Sequence, residues 1–468
     1  MPSLLLAVFC LGGILQAVTQ YPFQVPDERL HWLAAVERVN QVTPFVPTQR
    51  DRLFALPNAF ESRRLHHRRE LKNRPGTFDE ALYVKESSPD GKMNYGMVLS
   101  YPGAFVALLA RRILPLSPIS VLYLSRILSG LFVAAVLGWL LFIAVREGGF
   151  WKRLWSVGIA LLMLSPIAIQ QSFGVSVDPL IFAFALFVVG LLWKRAVGQT
   201  EMLVYFALSA VTVITKPPLL AWTVPLGVWL AANSKFGKAP RGSSLPPSRT
   251  LFWLGTALTF LIVVIMSAWS VSVTVPLERA NPALQLAHVL AHPVDGLVAL
   301  LRGSRRVLTT PGLLSNELGY LDFGSTRQAL RLQQIAQALA LLLFALPWFL
   351  GWRSMHVRKR PWPRKIAAAD LLLLIGSAVS ILGIAFFLYL YWTAPYATSV
   401  EGMQIRYVLP HFILFAGIAG ARLDAVLPVE MKRSPTASLV TNVLLATLCF
   451  VFLAYFCERT TMTFARYF

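Results

Sequence analysis

Eleven mostly apolar runs, each long enough or nearly long enough to cross a bilayer, constrain this chain more than any other feature. They fall near residues 3–20, 118–145, 154–172, 179–193, 200–215, 217–232, 251–274, 332–351, 370–392, 407–427 and 437–456. Crossing roughly 30 Å of hydrocarbon takes about 20 apolar residues. Inside lipid every backbone N–H and C=O must be satisfied within the spanning structure, so runs of this length become helices. Of the 468 residues only 14% are charged, against about 25% in a soluble domain. A soluble globular enzyme is therefore excluded, and so is a single-span receptor with a large water-soluble head. The expected fold is an all-α, multi-pass membrane protein with about eleven transmembrane helices.

Charge fixes the expected orientation. Lys and Arg number 43 against 22 Asp and Glu, a net charge of +21. On a soluble chain this would point to nucleic acid; on a membrane chain it is first a question of sides. Residues 97–116 decide the answer, because they are apolar enough to cross but carry Arg111 and Arg112. Placed as an interfacial helix on the outer surface, they leave sixteen basic side chains in the inner loops, including the 353–365 cluster. Crossing there would turn that cluster outward. The positive-inside rule selects the interfacial placement and a cytoplasmic N-terminus. The first run lacks a basic leading segment and a convincing small-x-small cleavage site, so it reads as an anchor in the cell (inner or plasma) membrane. Cys10, Cys449 and Cys457 form no close pair and no metal-type spacing, so no disulfide framework is expected.

The resulting organisation is a first helix (1–20), a first outer loop with an acidic motif and interfacial helices (21–117), and a six-span bundle (118–274). A second long outer loop (275–331), a four-span bundle (332–456) and a tail (457–468) follow. Loops held by a rigid scaffold carry a disproportionate share of binding and catalysis, so the two long outer loops are the places to look.

The first outer loop opens with Pro26, Asp27, Glu28 and His31. Asp27 and His31 share a helix face, four residues apart. Asp27 reads either as a simple helix cap or as an ionised carboxylate able to accept a proton or bind a metal. Arg126 lies inside the second span, where a buried charge defaults to a functional hypothesis; its candidate partners are Asp27, Glu28 or a ligand phosphate. Asp178 precedes Pro179 at a helix start, a capping arrangement that does not exclude a site role. Lys216 stands between two apolar runs, either snorkelling or meeting a phosphate. Arg406 and Tyr407 open the tenth span, and an arginine at an outer helix end favours phosphate, which its fork suits. In the second loop, Glu317, Tyr320 and Asp322 are candidate acceptor contacts. His288 and His292 have a metal-compatible spacing but no third ligand, so a polar helix face is the simpler reading.

Taken in order, these pieces resemble the membrane-integral GT-C-type glycosyltransferases, which use polyprenyl-phosphate-linked sugars. More narrowly they are similar to a bacterial family of polytopic membrane proteins of unknown function. The resemblance rests on Pro26-Asp27-Glu28-x-x-His31, Tyr95 with Tyr101-Pro102, Ser176-x-Asp178, Lys216-Pro217, Leu318–Asp322, and Gln404-x-Arg406-Tyr407-x-x-Pro410. The chain departs from the family pattern at Ile405, where Gly is usual, and at Tyr320, where Trp is usual.

The resemblance implies a GT-C-like fold and a transferase moving a sugar from a polyprenyl-phosphate donor to a glycan, lipid or protein acceptor on the outer face. Asp27, with Glu28 beside it, is then the catalytic candidate. His31, Arg126, Asp178, Lys216, Gln404, Arg406 and Tyr407 are the substrate and phosphate candidates. No particular cofactor is indicated, a divalent cation is left open, and nucleic acid is not an expected partner. The rival readings are a transporter or lipid or polysaccharide flippase, and a surface-polysaccharide polymerase or ligase. Against the transporter, the ionisable residues gather at outer helix ends rather than at the midplane, where transporters bind.

Overall fold

The computed structural model describes residues 2–19, most of 101–227, 280–308 and 364–426, with short helical pieces near 255–265 and 334–345. Every described element is helical. In chain order they are α1 (Pro2–Thr19), α2 (Pro102–Ala110), α3 (Pro118–Glu147), α4 (Phe150–Met163), α5 (Pro166–Ser172), α6 (Asp178–Trp193) and α7 (Gln199–Thr215). After a 3₁₀ turn at Pro217–Leu219 come α8 (Pro282–Ala291), α9 (Pro293–Leu308) and α10 (Arg364–Tyr391). A second 3₁₀ turn at Ile405–Tyr407 leads into α11 (Leu409–Val426). Six of these helices open on a proline, which has no N–H to lose at the first helical position and a pre-set φ.

Among the described residues three helices are both long and apolar enough to cross a membrane: Ser120–Glu147, Leu371–Tyr391 and Ile405–Ala425. Pro2–Val18, Asp178–Trp193 and Thr200–Thr215 are apolar but shorter. The runs at 251–274 and 437–456 fall largely outside the described residues, and those at 217–232 and 332–351 are described in part. Two bends are seen. Within the 154–172 run α4 and α5 meet at 76°, because Pro166 cannot continue the hydrogen-bond ladder of the preceding turn. Within residues 275–331, α8 and α9 form a hairpin bent by 115°, and His288 and His292 lie on it. At 97–116 the described helix is α2. Its nine residues rise only about 13.5 Å, too short to cross.

Helix directions follow from side-chain contacts. Arg126, early in α3, reaches the Ala17 carbonyl late in α1, while Leu6 lies against Gly138, so α1 and α3 run antiparallel. Phe173, just before α6, sits over Gly130 of α3, and Trp139 stacks on Phe187 with Gly190 beneath it. Thus α3 and α6 run parallel. Gly417 of α11 meets Val189 and Gly420 meets Trp193, so α11 also runs parallel to α6. Glycine at these crossings lets backbones approach closely, the usual basis of helix association in lipid.

One end of the bundle therefore collects the C-terminus of α1 and the N-termini of α3, α6 and α11. The opposite end is tied by polar bonds. Asp424 of α11 accepts the Gly149 and Trp151 N–H groups, both at 2.8 Å. It thereby satisfies donors that the start of α4 leaves open. Lys152 Nζ donates to the Trp193 carbonyl at 3.1 Å, and Arg153 donates to the Val145 and Gly148 carbonyls at the end of α3. These cations meet helix C-termini, where the macrodipole favours positive charge.

Candidate functional site

The candidate site lies at the end where α1 stops and α3 and α6 begin. Asp178 is the first residue of α6, and Val177, not Asp178, occupies the capping position. The Asp178 backbone N–H donates to Ser176 Oγ at 3.2 Å. Within the first helical turn a carboxylate is also favoured by the macrodipole.

Two cations converge on it. Lys216 Nζ is 2.7 Å from Asp178 Oδ1 and Arg406 Nη1 is 3.7 Å from Oδ2. Lys216 ends α7, because Pro217 pushes the preceding residue out of helical geometry; its backbone sits at φ −135° and ψ 88°. That break redirects the lysine towards α6. Arg406 rides on the 3₁₀ turn ahead of α11, where Nη1 also donates to Gln171 Oε1 at 3.3 Å and Nη2 to the Tyr407 hydroxyl at 3.2 Å. The Tyr407 ring lies beside both cations, 4.6 Å from Lys216 Nζ and 5.1 Å from Arg406 Cζ.

The arrangement is buried as well as charged. Asp178 and Arg406 side chains are each 4% exposed and Lys216 is 16% exposed. One carboxylate faces two cations. Close by, Gln171 Nε2, Ser172 Oγ and Gln404 Oε1 are buried with no hydrogen-bond partner among the described residues. A buried polar group without a partner costs free energy, and such groups beside two cations suit a polar ligand.

The structure thus brings together five residues singled out from sequence: Asp178, Lys216, Arg406 and Tyr407, with Gln404 two residues before Arg406. Arg126, fully buried, donates from Nη1 to the Ala17 carbonyl at 3.0 Å and lies 5.2 Å from the Tyr123 ring. There it places a positive charge at the C-terminal end of α1. Asp27, Glu28, His31, Glu317, Tyr320 and Asp322 lie outside the described residues. Gln171 was missed from sequence; the signal was a pair of amides, Gln170 and Gln171, inside an otherwise apolar run. Among the described residues no three His, Cys, Asp or Glu side chains are grouped to hold a metal. His288 and His292 instead pack ring against ring, with centroids 5.2 Å apart.

No curated protein and no solved structure matches this chain. A model of one family, described as "Predicted membrane protein (DUF2142)", matches residues 10–415. The site and most of the helices that build it lie within that match, and the chain belongs to this family of predicted membrane proteins.

Proposed function

We propose that the protein is a glycosyltransferase of the cell membrane that takes its sugar from a polyprenyl-phosphate donor and passes it to a surface glycan, lipid or protein. The observation that carries the reading is the convergence of Lys216 and Arg406 on Asp178, with Tyr407 beside them. Two cations in a nearly buried cluster at the ends of apolar helices suit a ligand with an anionic head and a lipid tail. Asp178 offsets the cost of burying both cations, and the donor phosphate binds against the same pair.

In the proposed reaction an acceptor hydroxyl oxygen attacks the anomeric carbon. The new glycosidic C–O bond forms as the anomeric carbon–phosphate oxygen bond breaks. The hydroxyl proton passes to the Asp27 carboxylate, with Glu28 and His31 beside it, and the polyprenyl phosphate departs as an anion. Lys216 and Arg406 stabilise that anion, a form of preorganised electrostatic catalysis, and Arg126 anchors the end of α1 from which the acidic motif continues. The second long loop, through Glu317, Tyr320 and Asp322, supplies acceptor contacts. The distribution of basic residues supports a cytoplasmic N-terminus, and with that orientation the site opens on the outer face.

The test uses the full-length protein in lipid nanodiscs. Binding of a polyprenyl monophosphate is compared with binding of the same polyprenol. The phosphate form should bind at least tenfold more tightly, and Lys216→Ala or Arg406→Ala should remove most of that preference. Equal binding of phosphate and alcohol by the wild-type protein would overturn the proposal. For catalysis, transfer of radiolabelled sugar from polyprenyl-phosphate donors should be lost in Asp27→Ala while donor binding is retained.

A further inference from the structure

The hairpin of α8 and α9 has two unlike faces. One is fixed to the bundle. Gln285 is fully buried and its Oε1 accepts the Tyr396 N–H at 2.8 Å. The His288 ring meets the edge of Tyr396 at 5.2 Å. Ala299 and Val307 are buried, and Gly303 is packed against Val400. The other face carries Leu284, Leu286, Leu290, Val294, Leu297 and Leu301, exposed by 41–74%. Along α9, Leu297, Leu301 and Arg305 follow one another at four-residue spacing, so a single stripe runs from leucine into arginine. Arg302 is exposed next to it.

We infer that this hairpin lies in the membrane–water interface and binds the lipid surface, with its leucine ridge among the acyl chains and Arg302 and Arg305 at the phosphates of anionic lipids. Two further observations select lipid as the occupant. Both helices pack on α10, a helix long and apolar enough to cross the membrane. α10 itself carries exposed apolar side chains, including Leu371, Leu374 and Val379. A stripe that passes from apolar to basic along one helix face also matches the gradient from hydrocarbon to headgroup, and arginine stems bridge it by snorkelling. Asp295, exposed in the first turn of α9, offsets part of this charge and sits where the helix dipole favours it.

The consequence reaches the candidate site. Through Gln285 to Tyr396, and through Arg302 Nη1 to the Thr398 carbonyl at 3.5 Å, the hairpin holds the loop that delivers Gln404, Arg406 and Tyr407. The inference stands independently of sugar transfer, since it concerns only where the hairpin lies.

The test places a spin label at Leu297→Cys, or at Leu301→Cys, in the full chain with Cys10, Cys449 and Cys457 replaced by Ala. The protein is reconstituted into vesicles of phosphatidylcholine with phosphatidylglycerol, and of phosphatidylcholine alone. Collisions with oxygen should exceed those with an aqueous nickel chelate in both. Arg305→Glu should raise chelate access in the phosphatidylglycerol vesicles only, by about fivefold for each unit of charge changed. Predominant chelate collisions in wild-type background would overturn the inference, because the ridge would then face water. Dipolar broadening between labels on two copies would overturn it too, because the ridge would then be a protein interface. An equal response to Arg305→Glu in both vesicle types would remove the anionic-lipid component.

Discussion

Replacing Asp178 by alanine is the sharpest test of the buried charge cluster. At an effective dielectric of about 20, Coulomb attraction is about 6 kcal/mol at the 2.7 Å Lys216 contact and about 4 kcal/mol at the 3.7 Å Arg406 contact. Desolvation of the three groups offsets much of this in the intact protein. The offset disappears when one partner is removed. Lys216, at 16% exposure, can turn towards water, but Arg406, at 4%, cannot. Asp178→Ala therefore removes the carboxylate that faces a buried charge, which costs about 3–5 kcal/mol. Lys216→Ala should cost only about 1–2 kcal/mol, since Asp178 keeps Arg406. Adding Arg406→Met to Asp178→Ala should restore most of the loss, because the buried guanidinium that faced Asp178 is then gone. The assay is thermal unfolding of the full chain in one detergent, followed by tryptophan fluorescence. For 468 residues, an unfolding entropy of about 2.1 cal/mol/K per residue makes 3 kcal/mol worth about 3 °C. Helices that persist in the micelle lower that entropy and enlarge the shift. The reasoning is refuted if Asp178→Ala moves the midpoint less than Lys216→Ala, or if the double substitution shows no recovery.

Three other outcomes follow from the same contacts. Asp424→Ala should lower stability by about 1–2 kcal/mol, as the cap on α4 is lost; Asp424→Asn should recover about half, both read from the same unfolding curves. A methyl group at Gly130 would overlap the Phe173 ring, so Gly130→Ala should cost about 1–3 kcal/mol. Phe173→Leu in the same chain should relieve it, and additive losses would show that the ring is not the obstacle. Gly402 has φ +78° and lies under the Trp392 ring; Gly402→Ala should cost about 1 kcal/mol from the left-handed backbone alone, measurable as loss of midpoint.

The membrane character of this chain was legible locally, because bilayer thickness dictates the length of an apolar run and lipid forces it into a helix. Pro102, Pro118 and Pro166 likewise mark helix starts through their own covalent geometry. Sequence also identified Asp178, Lys216, Arg406 and Tyr407 as unusual, since a charge at the edge of an apolar run has an evident cost. Whether those residues meet was not a local matter. Gln171 and Arg406 lie 235 residues apart, and their contact depends on α11 running parallel to α6 through Gly417 and Gly420. Tertiary structure likewise decided that Asp178 is an ion-pair partner: helix-start rules say nothing of what a first-turn carboxylate will meet, and the arrival of Lys216 and Arg406 settles it. The hairpin at 282–308 was hidden for a different reason. Its leucines are interrupted by Gln285, His288, Asp295 and Arg302, so no unbroken apolar run announces it, and its two faces exist only once α8 and α9 pack on α10. Chain chemistry determined the solvent and the elements; the crossings of small residues between helices decided which charges share a site.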